Sequence, residues 1–299
     1  MSVLNWAPPA QTTPTLVTNT TLFYSAAFGT TEDVIFTWPG TNRTASFTVT
    51  GGRNIRIIGG ACVKSTAGSA IRFSGVTGSI FLEGLLIDMT AISADAINAG
   101  GNTAAAFTLF PDVYIQNCRI IGVNGTAAAT HADAFQPQAS LGRLFIDNCT
   151  IVTTYQGIFV PPTTFPISEL HISRTNFAYT DVDSSLITYP LWFLNTGAPA
   201  DVPYPVYLSN VYLAPRPTQN ITADCMYPSL GLLDNNGIAV GALTDDSNVS
   251  GYWPAFNKVT GSVLSGAPPG GDYAAAGSVG LGYTSPGYAA TELLGSTPI

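Results

Sequence analysis

The segment His131-Ala-Asp133-Ala-Phe-Gln136 carries the side chains of this chain that are best suited to acid–base chemistry. When it is aligned with the preceding repeat, Asp133 falls at the position of Asp95, so the two carboxyl groups are expected about 5 Å apart. Carboxylates at that distance repel each other, which raises the pKa of one and leaves an acid beside a base. The same separation suits the carboxylate pair of a retaining glycosidase. His131 would carry the proton, because histidine titrates near neutral pH.

A structural role accounts for the same three catalytic candidates, Asp133, Asp95 and His131. Aspartate at a turn commonly accepts hydrogen bonds from its own backbone, and a histidine two residues away would then bond that aspartate. The sequence contains no Gly-x-Ser-x-Gly motif, so it gives no indication of a catalytic serine. The sequence therefore leaves a catalytic and a structural interpretation open.

A second group of candidates consists of aromatic and polar side chains that recur at equivalent positions of successive repeats. Strand alternation turns each of these columns outward. The first column is Arg56, Phe81, Tyr114, Phe145, His171 and Tyr207. The column beside it is Ile58, Glu83, Gln116, Asp147, Ser173 and Ser209. In the third strand of each repeat the outward column is Arg72, Asn98, Gln136 and Phe159.

An aromatic column beside a polar one predicts a sugar-binding surface, because rings take the apolar faces of sugars while amides and carboxylates take the hydroxyls. Two alternatives stay open: a loop or the C-terminal segment covers the column, or the column is a subunit interface, where aromatic residues are enriched. The predicted substrate-binding residues are Tyr114, Phe145, His171, Gln136, Asn98, Asp147 and Gln116.

A repeated structure must position these residues. VYIQNC at 113–118 aligns with LFIDNC at 144–149, and three short strands recur in the same order. The strand starts lie roughly 21 to 36 residues apart, and variable spacing around a constant strand core is typical of a solenoid whose insertions enter the turns. We expect an all-β chain, a single-stranded parallel solenoid of about seven to eight coils. The strand starts are Val34, Ile55, Ile80, Val113, Leu144, Leu170 and Val206.

The residues after each first strand predict how the repeats turn. Asn117 over Asn148 predicts a ladder of side-chain amides, because asparagine tolerates left-handed backbone and its amides bond between repeats. Cys118 and Cys149 align beside them and are expected to be buried free thiols. The turn positions are Gly59, Gly84, Asn117, Asn148, Arg174 and Asn210.

Composition excludes several classes of function. With a net charge of −8 the chain lacks the basic stripe that nucleic acid requires. No apolar run approaches the roughly 20 residues of a membrane span, and the first residues lack the pattern of a Sec signal peptide. The four cysteines and two histidines show no metal-ligand spacing, so we expect no cofactor and no metal.

Composition also suggests three segments. Residues 1–33 are rich in proline and threonine and are expected to form an N-terminal arm or cap, since a solenoid end exposes unpaired strand edges. Residues 34–250 carry the repeats. Residues 251–299 are rich in glycine, proline and aromatic residues, which predicts a loop-rich C-terminal cap.

The repeat pattern over 34–250 resembles the right-handed parallel β-helix superfold of pectate lyases, polygalacturonases and bacteriophage tailspikes. The resemblance is architectural, and one fold hosts many activities. Asp245-Asp246 is the only pair of adjacent aspartates, and it lacks the Gly-His-Gly and Arg-x-Lys motifs that accompany such a pair in polygalacturonases. The pectate lyase motifs Trp-Ile-Asp-His and Arg-x-Pro-x-x-Arg are absent. Tailspikes pack three β-helices side by side, so the resemblance implies a homotrimer.

Three functional hypotheses follow. The first is an extracellular or virion-borne spike or tail protein that binds a cell-surface polysaccharide. The second is a polysaccharide-degrading enzyme, a glycoside hydrolase rather than a lyase, that uses Asp133 with Asp95 and His131. The third is a structural shaft or decoration protein that contacts no glycan.

Overall fold

The computed structural model shows a chain built from short β-strands. Among the described residues there is no helix, which confirms the prediction of an all-β chain. No described segment is therefore a helix long and apolar enough to cross a membrane. The structure describes residues 3–18, 24–101, 109–125, 131–180, 188–193, 204–217, 219, 225–227, 249–250 and 259–289.

The larger of two sheets has thirteen strands. Its path runs β1 (Thr15–Thr18), β3 (Val34–Thr37), β5 (Asn54–Ile58), β8 (Ser79–Glu83), β11 (Asp112–Gln116), β14 (Leu141–Thr153), β16 (Ile167–Tyr179), β18 (Val206–Ala214), β21 (Val259–Ser265) and β20 (Val249–Ser250). Strands β6 (Ala61–Val63), β9 (Leu86–Asp88) and β12 (Arg119–Val123) join it beside this path. All described pairs are parallel except β20 with β21.

The second sheet has eight parallel strands, one from each successive repeat. They are β2 (Tyr24–Phe28), β4 (Phe47–Gly51), β7 (Ile71–Ser74), β10 (Ile97–Ala99), β13 (Phe135–Pro137), β15 (Ile158–Phe159), β17 (Leu191–Trp192) and β19 (Met226–Tyr227). Each strand of this sheet is separated in sequence from its neighbours by strands of the first sheet. The chain therefore alternates between the two sheets, as a solenoid does.

The register of the first sheet confirms the alignment of the repeats. All seven predicted strand starts pair in one row, from Val34 with Ile55 to Leu170 with Val206. The inward positions of these strands belong to one continuous hydrophobic core, because alternate residues of a strand face opposite sides of a sheet. Both sheets also extend beyond the predicted repeats, since β1 and β2 lie within 1–33 and β21 lies within 251–299. The predicted segment boundaries themselves stay a prediction.

The turn that follows each first strand uses left-handed backbone. All six predicted turn residues have φ between 40° and 71°, a region that favours glycine and asparagine. The Asn148 side-chain amide donates to Asn117 Oδ1 at 2.8 Å, which confirms the predicted ladder. At Gly84 a Cβ would lie 2.1 Å from the Tyr283 ring, so only glycine fits there. Cys118 and Cys149 are buried and form no disulfide, as predicted.

Candidate functional site

The outward aromatic column of the first sheet forms one continuous stack. The rings of Tyr114 and Phe145 are nearly parallel with centroids 4.8 Å apart. The column continues from Phe145 to His171 at 4.7 Å and from His171 to Tyr207 at 4.5 Å. The sequence therefore placed these side chains correctly relative to one another.

Most of this column is covered by the two ends of the described chain. Trp6 packs against Phe145 with ring centroids 5.0 Å apart and also contacts Tyr114. Tyr114 and Phe145 are each only 3% exposed. The prediction that these two residues contact a sugar therefore needs correction, because the Trp6 ring already occupies the place that a sugar would take. Tyr114 and Phe145 are instead covered by another part of the chain, which was one of the two alternatives to sugar binding.

The middle of the polar column beside it, from Glu83 through Gln116 to Asp147, is buried as well. Gln116 donates from Nε2 to the backbone oxygen of Trp6 at 2.8 Å, and Asp147 accepts from Ser173 Oγ at 2.7 Å and from Arg174 Nε at 3.0 Å. Both residues are 0% exposed. Gln116 and Asp147 thus hold the fold together in the described structure, and their predicted role in sugar binding also needs correction.

The C-terminal segment is fixed to this face by Glu83. Its carboxylate, which is fully buried, accepts hydrogen bonds from the hydroxyls of Tyr283 at 2.9 Å and Tyr288 at 2.7 Å. Burial raises the pKa of Tyr288 to about 12. Leu4 meets this segment through a backbone bridge to Tyr288. Both ends of the described chain therefore close over the same column.

The Tyr207 end of the column is open. Tyr207 is 41% exposed, and His171 is partly exposed and lies 2.9 Å from a Glu169 carboxylate oxygen. His171 is thus the one predicted residue of this column that solvent reaches, and its role in binding stays a prediction.

The corner that carries the predicted catalytic pair brings Asp95 and Asp133 together. Ile97 pairs with Phe135, and the backbone N–H of Asp133 donates to Asp95 Oδ1 at 2.9 Å. Asn98 donates to the other Asp95 oxygen at 2.9 Å. Both Asp95 oxygens therefore have a structural role, in which one joins two successive repeats and the other holds the Asn98 amide.

Asp133 itself faces the interior. It is 0% exposed, and neither carboxylate oxygen has a hydrogen-bond partner among the described residues. The same is true of both amide atoms of Gln156, which lies at the equivalent position of the next repeat. Burial, and secondarily the charge of Asp95, raises the pKa of Asp133 well above its usual range. Burial also raises the pKa of Asp95.

This geometry corrects the catalytic assignment of Asp133. A general acid or nucleophile must reach the substrate directly or through one water, and the oxygens of Asp133 are sealed inside the corner. His131 is exposed, and its ring packs edge-on against Tyr155 with centroids 5.6 Å apart. The three residues are neighbours in the chain fold, yet Asp133 does not share a solvent-facing site with His131.

The outer face of the second sheet presents a different row of side chains. Strand pairing aligns Arg72 with Asn98 and Asn98 with Gln136, and further along it aligns Phe159 with Trp192 and Trp192 with Tyr227. Asn98 is 3% exposed, whereas Arg72 is exposed and Gln136, Phe159 and Tyr227 are half-buried. We call these six residues the outer row.

The outer row ends in an aromatic cluster. The ring of Trp192 lies 5.2 Å from Phe159 and 5.3 Å from Tyr227, and Tyr189 completes the group at 5.2 Å from Trp192. The sequence pattern predicts this row only as far as Phe159. Its continuation was missed because β17 and β19 are two residues long and lie between segments without repeats. The only sequence signal for this continuation was that an inward residue, Leu191 or Met226, is followed by an outward aromatic one, Trp192 or Tyr227.

Comparisons with protein families, with curated proteins and with solved structures give no match for this chain. Among the described residues, no group of three or more histidine, cysteine, aspartate or glutamate side chains is placed to hold a metal ion.

Proposed function

We propose that this chain is a right-handed parallel β-helix of about seven to eight coils that binds a polysaccharide along the outer row. The observation that carries the proposal is the sequence of side chains in that row, in which Arg72, Asn98 and Gln136 lead into Phe159, Trp192 and Tyr227 in neighbouring parallel strands. Polar groups and aromatic faces therefore follow one another along a line, as a linear glycan requires.

The spacing of the row supports this assignment. Parallel strands lie about 4.8 Å apart, so a chain of sugars running across the strands would meet one side chain after another. Aromatic rings provide flat apolar surface at low entropic cost, and the half-buried amide of Gln136 offers both a donor and an acceptor to hydroxyl groups. Gln136 thus keeps the substrate-binding role that the sequence suggested for it. Asn98 is buried and its amide is bonded to Asp95 and Ser69, so its predicted role in sugar binding needs correction.

The biological setting belongs to the same proposal. A chain with net charge −8 and only 9% charged residues, folded as a parallel β-helix, suits an extracellular or virion-borne spike that binds a cell-surface polysaccharide. We propose a homotrimer, with the open Tyr207 end of the first-sheet column as a surface that a second copy would contact.

Affinity electrophoresis through gels that contain purified cell-surface polysaccharides tests the proposal. We expect retardation of the wild-type chain and an affinity loss of about tenfold, or ~1.4 kcal/mol, for Phe159→Ala and Tyr227→Ala. Phe110→Ala is the matched control, because it removes an exposed aromatic ring that lies outside the outer row and away from the Tyr207 end. Equal retardation of all three variants would place the binding surface elsewhere.

A hydrolase that uses Asp133, Asp95 and His131 has one observation in its favour, the adjacency of the two aspartates. Shortening of the polysaccharide by the wild-type chain, lost in Asp133→Asn, would establish that alternative against the burial of Asp133. If the chain neither binds nor shortens any polysaccharide, the remaining hypothesis is a structural shaft or decoration protein.

A further inference from the structure

A polar cleft lies where the C-terminal segment crosses the turns of the first sheet. It has a volume of about 370 Å³ and lies between the Asn117–Asn148 ladder and the loop at 268–278. This cleft is distinct from the outer row, which lies on the second sheet.

The loop that walls the cleft is held firmly against the sheet. Asp272 accepts from Arg119 Nη1 at 2.7 Å and from Asn176 Nδ2 at 2.9 Å. The backbone N–H of Tyr273 donates to Asn176 Oδ1 at 3.1 Å, and that of Ala274 donates to a threonine hydroxyl of β14 at 3.1 Å. A wall fixed at several points is preformed, which reduces the entropic cost of binding a ligand.

The amide ladder ends at a residue that lines this cleft. Asn148 donates to Asn117, and Asn117 donates in turn to the Tyr283 hydroxyl at 3.0 Å. The Asn148 carbonyl oxygen is the free end of this chain of hydrogen bonds, since it accepts none among the described residues. Asn148 and Tyr273 are both partly exposed and line the cleft.

We propose that the cleft binds one neutral sugar residue through Asn148, Asp272 and Tyr273. Two acceptors, an amide oxygen and a carboxylate that is already anchored, suit the hydroxyl donors of a pyranose, and a tyrosine ring suits its apolar face. The pairing of Asp272 with Arg119 neutralises the local charge, and the net charge of −8 disfavours an anionic ligand. The cleft would therefore form a second carbohydrate site that does not depend on the outer row.

Two variants disturb the cleft in different ways. Asn148→Gly removes the amide but keeps the positive φ of 53° accessible. Gly270→Leu fills the cleft and leaves the ladder intact, because a Cβ at Gly270 meets no atom within 4 Å. Asn210→Gly is the matched control, since Asn210 adopts φ 54° at the equivalent turn and does not line the cleft.

Saturation-transfer NMR on the full chain is the test, with glucose, galactose, mannose and N-acetylglucosamine as probes and glucuronate as the anionic comparator. We expect transfer to at least one neutral sugar, reduced at least fivefold in Asn148→Gly and Gly270→Leu and unchanged in Asn210→Gly. Transfer that is absent in the wild type, unchanged in both cleft variants, or strongest for glucuronate overturns the proposal. Phe159→Ala and Tyr227→Ala should leave this signal intact. The proposal for the cleft and the proposal for the outer row can therefore be contradicted separately.

Discussion

Replacing Asp133 with asparagine should stabilise this protein at neutral pH. The Asp133 carboxyl is 0% exposed and neither oxygen has a partner among the described residues. Burial raises its pKa in the folded state, so folding favours the protonated acid. The stability that this group contributes is fully present below the unfolded pKa of about 3.9 and is lost as the pH rises towards the folded value.

The size of this difference in the free energy of unfolding follows from the titration of one proton and the burial of one polar group. Between the unfolded and the folded pKa, the wild-type free energy of unfolding should fall by up to about 1.4 kcal/mol per pH unit relative to the variant. A buried polar group without a partner costs about 1–3 kcal/mol, and asparagine, unlike aspartate, carries no charge that has to be neutralised on folding. At pH 7 we therefore expect Asp133→Asn to be more stable by about 1–3 kcal/mol.

Urea denaturation of both chains from pH 3 to pH 8 measures this difference. The stability advantage of Asp133→Asn should be small near pH 3 and should grow as the pH rises. Asp33→Asn is the control of opposite sign, because hydrogen bonds from Arg53 lower the pKa of Asp33. That stabilisation is present above the unfolded pKa and is lost as the pH falls. The reasoning is refuted if Asp133→Asn is less stable than wild type at pH 7, or if the difference does not change with pH.

Two further predictions concern the ends of the chain. Glu83→Gln should weaken the two tyrosine hydrogen bonds that fix the C-terminal segment, with a loss of about 1.5–3 kcal/mol and faster limited proteolysis within 266–289. An unchanged cleavage rate would contradict the role of Glu83 as the anchor. Trp6→Ala should uncover Tyr114 and lower the free energy of unfolding by about 1–3 kcal/mol, measured by urea denaturation. A loss below about 0.5 kcal/mol, typical of an exposed site, would contradict the packing of Trp6 on the column.

The register and facing of the strands could be predicted from the sequence because each depends on local pattern. Alternation predicts which side chains of β11 and β14 point inward. The glycine and asparagine residues predict where the backbone becomes left-handed, although β14 continues through Asn148. The pairing of Tyr114 with Phe145 follows directly from that alignment.

Two features of the site could not be derived in this way. Trp6 contacts Gln116 across 110 residues of sequence, and neither terminal segment carries a repeat that would have revealed where it packs. At a corner, strand alternation no longer decides which way a side chain points. The inward direction of Asp133 is therefore a property of the turn geometry, whereas its adjacency to Asp95 follows from the repeat.

The most direct test of the proposed binding surface is an experimental structure of the chain with a bound oligosaccharide cut from a polysaccharide that it retains. We predict that the sugars lie across the strands of the second sheet, on Phe159, Trp192 and Tyr227, with hydroxyls bonded to the Gln136 amide. Sugars bound instead beside His131 and Asp95, or on Tyr207 of the first sheet, would contradict the account.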